Sequence, residues 1–450
     1  MIRSRLFSLA LITGDILSLL LLINVAADWR GLSSLDEIYF WAILPLALLT
    51  CCTLYLIDGY SPRSDMVSLD YTSQHLIATA CALFGALVLT FIVVSSIPLQ
   101  SSRGVLVISY AGFATLSLGY RRWLFQQLRR RRGERPIIFV GSEKSCAHFR
   151  VFAQQRGLSQ PVEACVIDEA AEHAMDRALP RMLDKIESGE LPAEAIVLRE
   201  ASRELPTSVA QQLVRLYLAG VPTYTLERFH QTYWRTIPLY RVNQSWLLQE
   251  GFKAARDPVY ERLKRLSDVL LAGAGLLLAA PFLALACLAI RCDGHGAALF
   301  RQTRIGRNDR PFTLIKLRTM RPAAPGDALY TQPGDKRITR FGRLLRAIRL
   351  DEFPQLWNVL RGDMSMIGPR AEWERLVSDY EKQIPCYHFR HLVRPGITGW
   401  AQVHYPYGAS VDDALRKLEY DLYYIRYFSF QMDAAIVLKT IHVMLFGRGR

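Results

Sequence analysis

The stretch VLLAGAGLLLAAPFLALACLAI, Val269–Ile290, contains no charged residue. How it meets a membrane decides on which side everything downstream lies. A bilayer core takes roughly 20 apolar residues of helix, so by length the stretch should cross. Two features argue against a crossing. Basic residues flank both ends: Lys253, Arg256, Arg262, Lys264 and Arg265 before it, and thirteen Lys or Arg against three acids over residues 301–350 after it. Positive charge marks the cytoplasmic side. Pro281 stands near the middle, where it removes a helix hydrogen bond and bends the chain. We read a kinked helix over 267–291 that enters and leaves by one face. The alternative is an ordinary Pro-kinked fifth span, which would put the C-terminal part outside the cell.

Four more apolar runs precede it, Leu6–Ala27, Ile38–Ile57, Leu76–Ile97 and Val105–Tyr120. They predict four transmembrane helices within residues 1–130. The first is not read as a cleaved signal peptide, because no small-residue cleavage site stands out and further spans follow. Four crossings put the basic start MIRSR and the block RRWLFQQLRRRRGER on one side, the cytoplasmic one. The loop between the second and third runs fits less well, with Arg63 against Asp58, Asp65 and Asp70. Asp15 lies inside the first run. An intramembrane carboxylate is a functional candidate by default, and the plainer reading is a bond to a neighbouring helix.

The 450 residues suggest two to three domains, and 51% of them are apolar. Lys and Arg outnumber Asp and Glu by 55 to 41, so the chain carries +14 and calls for an anionic partner: nucleic acid, an anionic membrane or a phosphorylated substrate. The eight Cys form no C-x-x-C pair, which predicts reduced thiols rather than zinc or a disulfide framework.

Residues 131–235 read as a small parallel α/β module. RPIIFVGS, EAIVLRE and GVPTYTL are strand-like and are separated by helical patterns. A dinucleotide site needs G-x-G-x-x-G at the first turn, and GSEKSC has one glycine. The module is therefore Rossmann-like without an intact dinucleotide loop, and a structural, regulatory or dimerising role is expected.

Residues 236–450 form the catalytic candidate, expected to be mainly helical. In RIGRNDRPFTLIKLRTM (Arg304–Met320), alternation puts Lys316 and Arg318 on one strand face. AAPGDALYTQPGDK reads as a Pro/Gly-rich loop. RITRFGRLLRAIRL sets Ile338, Phe341, Leu345 and Ile348 on one arc against Arg340, Arg343 and Arg346, which suits an interfacial membrane helix or a domain-packing helix. RLDEFPQLWNVLRGDMSMIGPR (Arg349–Arg370) pairs Asp351 with Glu352 just before a helix that Pro354 starts and Gly362 ends. One acid could be an N-cap. The chemical alternative is an Asp351 carboxylate, kept ionised by nearby arginines, that attacks phosphorus. Glu352, roughly 100° round the helix, would then serve a metal or orient a phosphate, and arginines would hold phosphate oxygens.

These motifs, with RPGITGWAQV (Arg394–Val403), resemble in order and spacing the bacterial sugar transferase family, specifically the monotopic phosphoglycosyl transferases that use polyprenol phosphate. The resemblance covers about Arg256 to the C-terminus, and the upstream parts look like the long branch that initiates exopolysaccharide or O-antigen synthesis. It implies transfer of a hexose-1-phosphate from a UDP-hexose, commonly glucose or galactose, to undecaprenyl phosphate. UMP would leave as a covalent phospho-sugar forms on Asp351. It implies Mg²⁺ at Glu352, substrate and phosphate contacts from Lys316, Arg318, Arg349, Asp363, Pro369, Arg370 and Arg394, and a re-entrant helix broken at Ala280–Pro281. It also implies a homodimer, with the catalytic domain on the cytoplasmic face of the bacterial inner membrane. The chain departs from the family at Ala280, often Ser, and at Asp309, often Gly. Two other readings compete: a glycosyltransferase that moves only the sugar and releases UDP, and a non-catalytic membrane scaffold or nucleic-acid-binding regulator. The absence of a nucleic-acid motif weighs against the last.

Overall fold

The computed structural model describes residues 2–31, 37–62, 64–93, 102–132, 135–158, 160–167, 174–199, 206–239, 258–293, 296–321, 335, 337–405, 408 and 410–446. The expected loop over 323–336 lies almost wholly outside them, as does part of the basic block around residue 133. The chain is mostly helical and divides into two compact units, Met1–Arg235 and Thr236–Arg450.

The first unit begins with helices α1 (Ile2–Trp29), α2 (Glu37–Leu56), α3 (Leu69–Val93) and α4 (Ser102–Arg132). α1 packs on α4 and α2 on α3. Among the described residues, three helices are long and apolar enough to cross a bilayer: Leu6–Trp29, Leu69–Phe91 and, in the second unit, Pro258–Cys292. α2 contributes a shorter apolar helix, Ile43–Leu56. α4 runs from apolar sequence into the basic block.

Asp15 is one of the most buried groups of this unit, 1% exposed. Tyr60 donates to it at 2.7 Å and Ser117 at 3.0 Å, and Tyr120 and Arg121 bond to it as well. Arg121, fully buried, also donates to the Gly59 carbonyl. Two arginines distant in sequence meet the acidic α2–α3 region. Arg122 of α4 reaches the Met66 carbonyl and Thr72, and Arg235 pairs with Asp58 at 2.5 Å.

The α/β module follows: β1 (Ile137–Gly141), α5 (Glu143–Gln155), β2 (Val162–Val166), α6 (Ala174–Glu187), β3 (Ala195–Leu198), α7 (Thr207–Leu218), β4 (Thr223–Thr225) and α8 (Leu226–Phe229). The four strands are parallel in the order β2-β1-β3-β4. β1 and β3 are buried throughout, as central parallel strands must be. β2 was not read from sequence, since its half-buried VEACV is interrupted by Glu163. After β1, Arg199 donates to Ser142 at 2.9 Å, and its side chain lies against Gly141. This side chain occupies the turn where a dinucleotide loop would approach a pyrophosphate.

The second unit contains α9 (Pro258–Cys292), β5 (Leu299–Ile305), β6 (Pro311–Leu317), α10 (Arg340–Ala347), α11 (Gln355–Arg361), β7 (Ser365–Ile367), α12 (Glu374–Gln383), β8 (Gly396–Thr398), α13 (Trp400–His404), α14 (Val411–Arg426) and α15 (Phe430–Phe446). α9 runs as one helix through Pro281, so the expected break at Ala280–Pro281 does not interrupt it. One of its faces is fastened to the unit along its length. Lys264 pairs with Asp433 at 2.5 Å, Arg265 donates to the Val359 and Leu360 carbonyls, and Asp268 accepts from Ser365 Oγ and the Met366 N–H. Ala272 packs with Leu314, Leu356 and Val359, and Ala286 and Ile290 pack with Leu317 and Leu345. The other face exposes Leu270, Leu271, Leu277, Leu278, Phe282, Leu285 and Leu288. The largest core gathers Trp400, Tyr387, Tyr424, Leu418, Leu422 and Ile436 from the C-terminal segments.

Candidate active site

The acid pair sits on a single 3-10 turn, Leu350–Glu352. Arg349 before it takes a left-handed conformation, φ 57°, which is uncommon for a residue with a side chain. This reversal ends α10 and re-aims the chain, so the acids do not continue α10's basic face. Beyond the turn, Pro354 is the N-cap of α11, and Gly362, at φ 92°, closes it. No side chain caps the N-terminus of α11. The N-cap reading of Asp351 or Glu352 is thereby overturned: the proline starts the helix, and the acids lie a turn too early to serve it.

α11 is locked to the β5–β6 hairpin by Asn358, which is fully buried. Its Oδ1 accepts from the Ile315 N–H at 3.1 Å, and its Nδ2 donates to the Thr313 carbonyl at 2.7 Å. The lock holds β6 beside the acid turn and brings Lys316 close to Asp351. α10 adds Arg346, whose Nε donates to Thr319 at 2.8 Å. Glu352 faces Arg349 at 3.8 Å and Arg370 at 3.6 Å.

Asp351 is 9% exposed. Burial first, and Glu352 second, push its pKa up to about 6 against the opposing pull of Lys316 and Arg346. This corrects the expectation that neighbouring arginines hold it low: desolvation outweighs them. Lys316 is shifted the other way, down to about 8, by burial and then by Arg304, Arg370 and Arg346. Near neutral pH the pair is a largely ionised carboxylate beside a largely protonated amine. The rate of any reaction at the Asp351 carboxylate should therefore rise as pH increases through about 6, and fall above about 8 where Lys316 must carry charge. Single-turnover rates across pH check this, and Lys316→Arg should move the alkaline limb upward while leaving the acid limb in place.

Of the expected contacts, Lys316, Arg349 and Arg370 converge on the acids, and Pro369 sets up Arg370. Three others lie elsewhere. Arg318 donates to the Ala297 carbonyl at the base of the hairpin. Asp363 accepts from Asn358 beyond the far end of α11. Arg394 bonds the Gly362 carbonyl and Glu261. Sequence alone does not tell at which end of α11 the cations gather round the acids. Arg346 was read only as part of a helix face, and Arg304 and Asn358 were missed, because their partners are distant in sequence. Asp309, where the resembled family often has glycine, does not break the turn. Asn308 and Asp309 both keep left-handed φ, 55° and 59°, and the Asp309 carboxylate meets His391 Nδ1 at 2.5 Å.

The amphipathic helix α10 buries Leu345 against α9, packs Phe341 there, and exposes Leu344 and Ile348, both over half exposed. Trp357 of α11 is 53% exposed. As for a metal, Asp351 and Glu352 supply adjacent hard oxygen donors, which suits Mg²⁺ that draws its remaining ligands from water and substrate phosphates. The one described group of three close His, Cys, Asp or Glu donors is Asp309, Glu381 and His391, at the hairpin turn and not at the acids.

Comparison with known proteins places this geometry. Residues 259–447 match the family described as bacterial sugar transferase. A UDP-N-acetylgalactosamine-undecaprenyl-phosphate N-acetylgalactosaminephosphotransferase of Aeromonas hydrophila is 37% identical over 270 residues, 60% of this chain and 63% of the relative's length. A UDP-glucose:undecaprenyl-phosphate glucose-1-phosphate transferase of Caulobacter vibrioides is 45% identical over 40% of this chain and 69% of its own. The exopolysaccharide production protein PSS of Rhizobium leguminosarum bv. phaseoli is 40% identical over 40% of this chain and 93% of its own. With the acid turn, the hairpin and the glycine-rich β8 segment all inside the matched region, the chain belongs to the bacterial sugar transferase family.

Proposed function

We propose that this protein transfers a sugar-1-phosphate from a UDP-sugar to undecaprenyl phosphate at the cytoplasmic face of the inner membrane, the first membrane step of an extracellular polysaccharide. One observation carries the reading. Asp351 is a buried carboxylate with no capping duty, ionised near neutral pH, and set among Lys316, Arg346 and the Arg370–Glu352 pair. Its oxygen attacks the phosphorus that bears the sugar, the bond to the UMP oxygen breaks, and UMP leaves. The lipid phosphate oxygen then attacks the same phosphorus and frees Asp351. Lys316, Arg346 and Arg370 offset the charge on the phosphate oxygens as it shifts. Glu352, with Asp351 beside it, would hold Mg²⁺, which would neutralise the diphosphate when bound. The Aeromonas hydrophila and Caulobacter vibrioides relatives are named for N-acetylgalactosamine and glucose donors, which supports a hexose of that class.

The test is the nucleotide released when the full chain in nanodiscs meets a UDP-sugar and undecaprenyl phosphate. UMP is expected; UDP would make the protein an ordinary glycosyltransferase.

The same-side topology of α9 belongs to this reading. Its N-terminal part is tied to Asp433, and its C-terminal part packs on Leu345, within one compact unit. A straight crossing would pull those two ends to opposite sides of the bilayer. Exposed Leu344, Ile348 and Trp357 would meet the lipid surface beside the outward leucines of α9. Cys292, already exposed at the end of α9, and a cysteine placed at exposed Val259 report on this. In a background without the other thiols, an impermeant maleimide should modify both in inverted vesicles and neither in intact spheroplasts. Modification of Cys292 from outside would make α9 a true span.

A further inference from the structure

The segment Gly368–Trp373, which carries Arg370 to Glu352, is held more tightly than its lack of secondary structure suggests. Four successive carbonyls each accept a hydrogen bond. Pro369 accepts from the Gly396 N–H at 2.9 Å, and Glu372 from the Ile305 N–H at 3.1 Å. The two between them are taken by side chains: Arg370 by Arg390 Nη2 and Ala371 by Arg304 Nη1, both at 3.1 Å. At the start of the segment the backbones of residues 368 and 396 nearly touch; a Cβ on Gly396 would stand 2.0 Å from the Gly368 nitrogen.

Arg390 is the unusual member. It is 4% exposed, and burying a guanidinium is costly unless it is paired. Asp421 of α14, 1% exposed, accepts from the same Nη2 at 2.8 Å. Glu372 lies 4.0 Å from Nη1, and the Tyr387 hydroxyl and ring face the group, the ring centroid at 5.1 Å. A carbonyl near a protein surface could be satisfied by water at far lower cost. What a charged, two-sided donor adds is direction: it fixes the Arg370 peptide, and so the starting vector of its side chain.

We propose that Arg390, anchored by Asp421, is a positioning residue for nucleotide-sugar binding, acting through the Arg370 carbonyl. The proposal rests on the reading of Arg370 as a phosphate contact given above. The chain of contacts runs from Asp421 on α14 to Arg390, to the Arg370 carbonyl, and through the Arg370 side chain to Glu352. It gives the C-terminal helices, which hold no member of the acid turn, a direct hand in substrate geometry.

A double-mutant cycle on the full chain in nanodiscs tests it. Arg390→Met is combined with Asp421→Leu so that neither buried charge is left alone, and the pair is placed in wild-type and Arg370→Ala backgrounds. In the wild-type background KM for the UDP-sugar should rise about tenfold with a smaller loss in kcat, as expected for one mis-set phosphate contact. With Arg370 already removed, the same change should cost less than about twofold. Equal penalties in both backgrounds would reduce Arg390 to a structural residue and overturn the proposal. Amide exchange over residues 370–373 gives a second readout that needs no turnover, and it should speed up in the Arg390→Met/Asp421→Leu protein. If Arg370→Ala alone leaves KM unchanged, the phosphate role of Arg370 fails. The latch is then judged by exchange alone, and unchanged exchange sinks it.

Discussion

Asp351→Asn should abolish turnover and, at the same time, make the protein more stable. The lost function follows from chemistry. An amide keeps the shape of the side chain but has no anionic oxygen to attack phosphorus. With a UDP-sugar labelled in the sugar and no lipid acceptor, wild type should retain label on Asp351 and release UMP, while the variant traps none. Glu352→Gln should also lose turnover but keep some adduct, since it removes a phosphate- or metal-orienting group and not the nucleophile. The gain in stability follows from the raised pKa. Asp351 titrates near 6 in the folded protein, above its ordinary value of 3.8, so the folded state holds the proton more tightly. The resulting penalty is absent below about pH 4, grows as pH rises towards 6, and is fully present above it. It amounts to about 1–3 kcal/mol. Thermal unfolding of Asp351→Asn should therefore shift upward at pH 7.5 and coincide with wild type near pH 4. An upward shift at neutral pH together with lost adduct marks a carboxylate kept for chemistry at the expense of the fold. An Asn variant that still forms the adduct would place the nucleophile elsewhere.

The second large effect lies in the membrane part. Asp15→Leu should leave Arg121 fully buried without its counter-ion, and Arg121→Met should do the same to Asp15. Breaking one half of such a pair costs about 3–5 kcal/mol, enough to deplete folded protein. Removing both halves together should restore most of it, because two apolar side chains fill the space without an uncompensated charge. The yield of monodisperse protein and its melting point report this directly. If the double variant folds and retains UMP release, Asp15 is a structural partner. If it folds but loses turnover, the carboxylate has a role in function after all.

Much of the architecture was legible because it is written in local pattern. Apolar runs gave the helices of the membrane part and α9, the alternation in PFTLIKL gave β6, and Gly362 gave the end of α11. The opposed shifts of Asp351 and Lys316 were not legible, because they depend on burial in the folded unit and on charges from β5, α10 and the segment after β7. The acid turn shows the same limit at short range. Pro354 correctly announced a helix, but Arg349's left-handed backbone, which decides where the acids point, has no signature in an arginine codon by codon along the chain. The residues that lock the site, Asn358 of α11 gripping β6 and Arg304 and Arg390 gripping the Arg370 segment, act over sequence gaps that no periodicity spans.

The fastening of α9 has a consequence for biosynthesis. On the ribosome this apolar helix emerges well before Leu345, Val359 and Asp433, the residues that later grip its inner face. For that interval it is a hydrophobic segment with no partner, exposed to the same machinery that would thread an ordinary span. Under the same-side topology proposed above, keeping it on the near side would be a kinetic problem as much as a thermodynamic one. On that topology the nascent chain would have to hold α9 at the membrane surface, by flanking charge and Pro281, until the downstream unit arrives. Variants that speed its threading would yield a protein with an intact active-site sequence on the wrong side of the membrane.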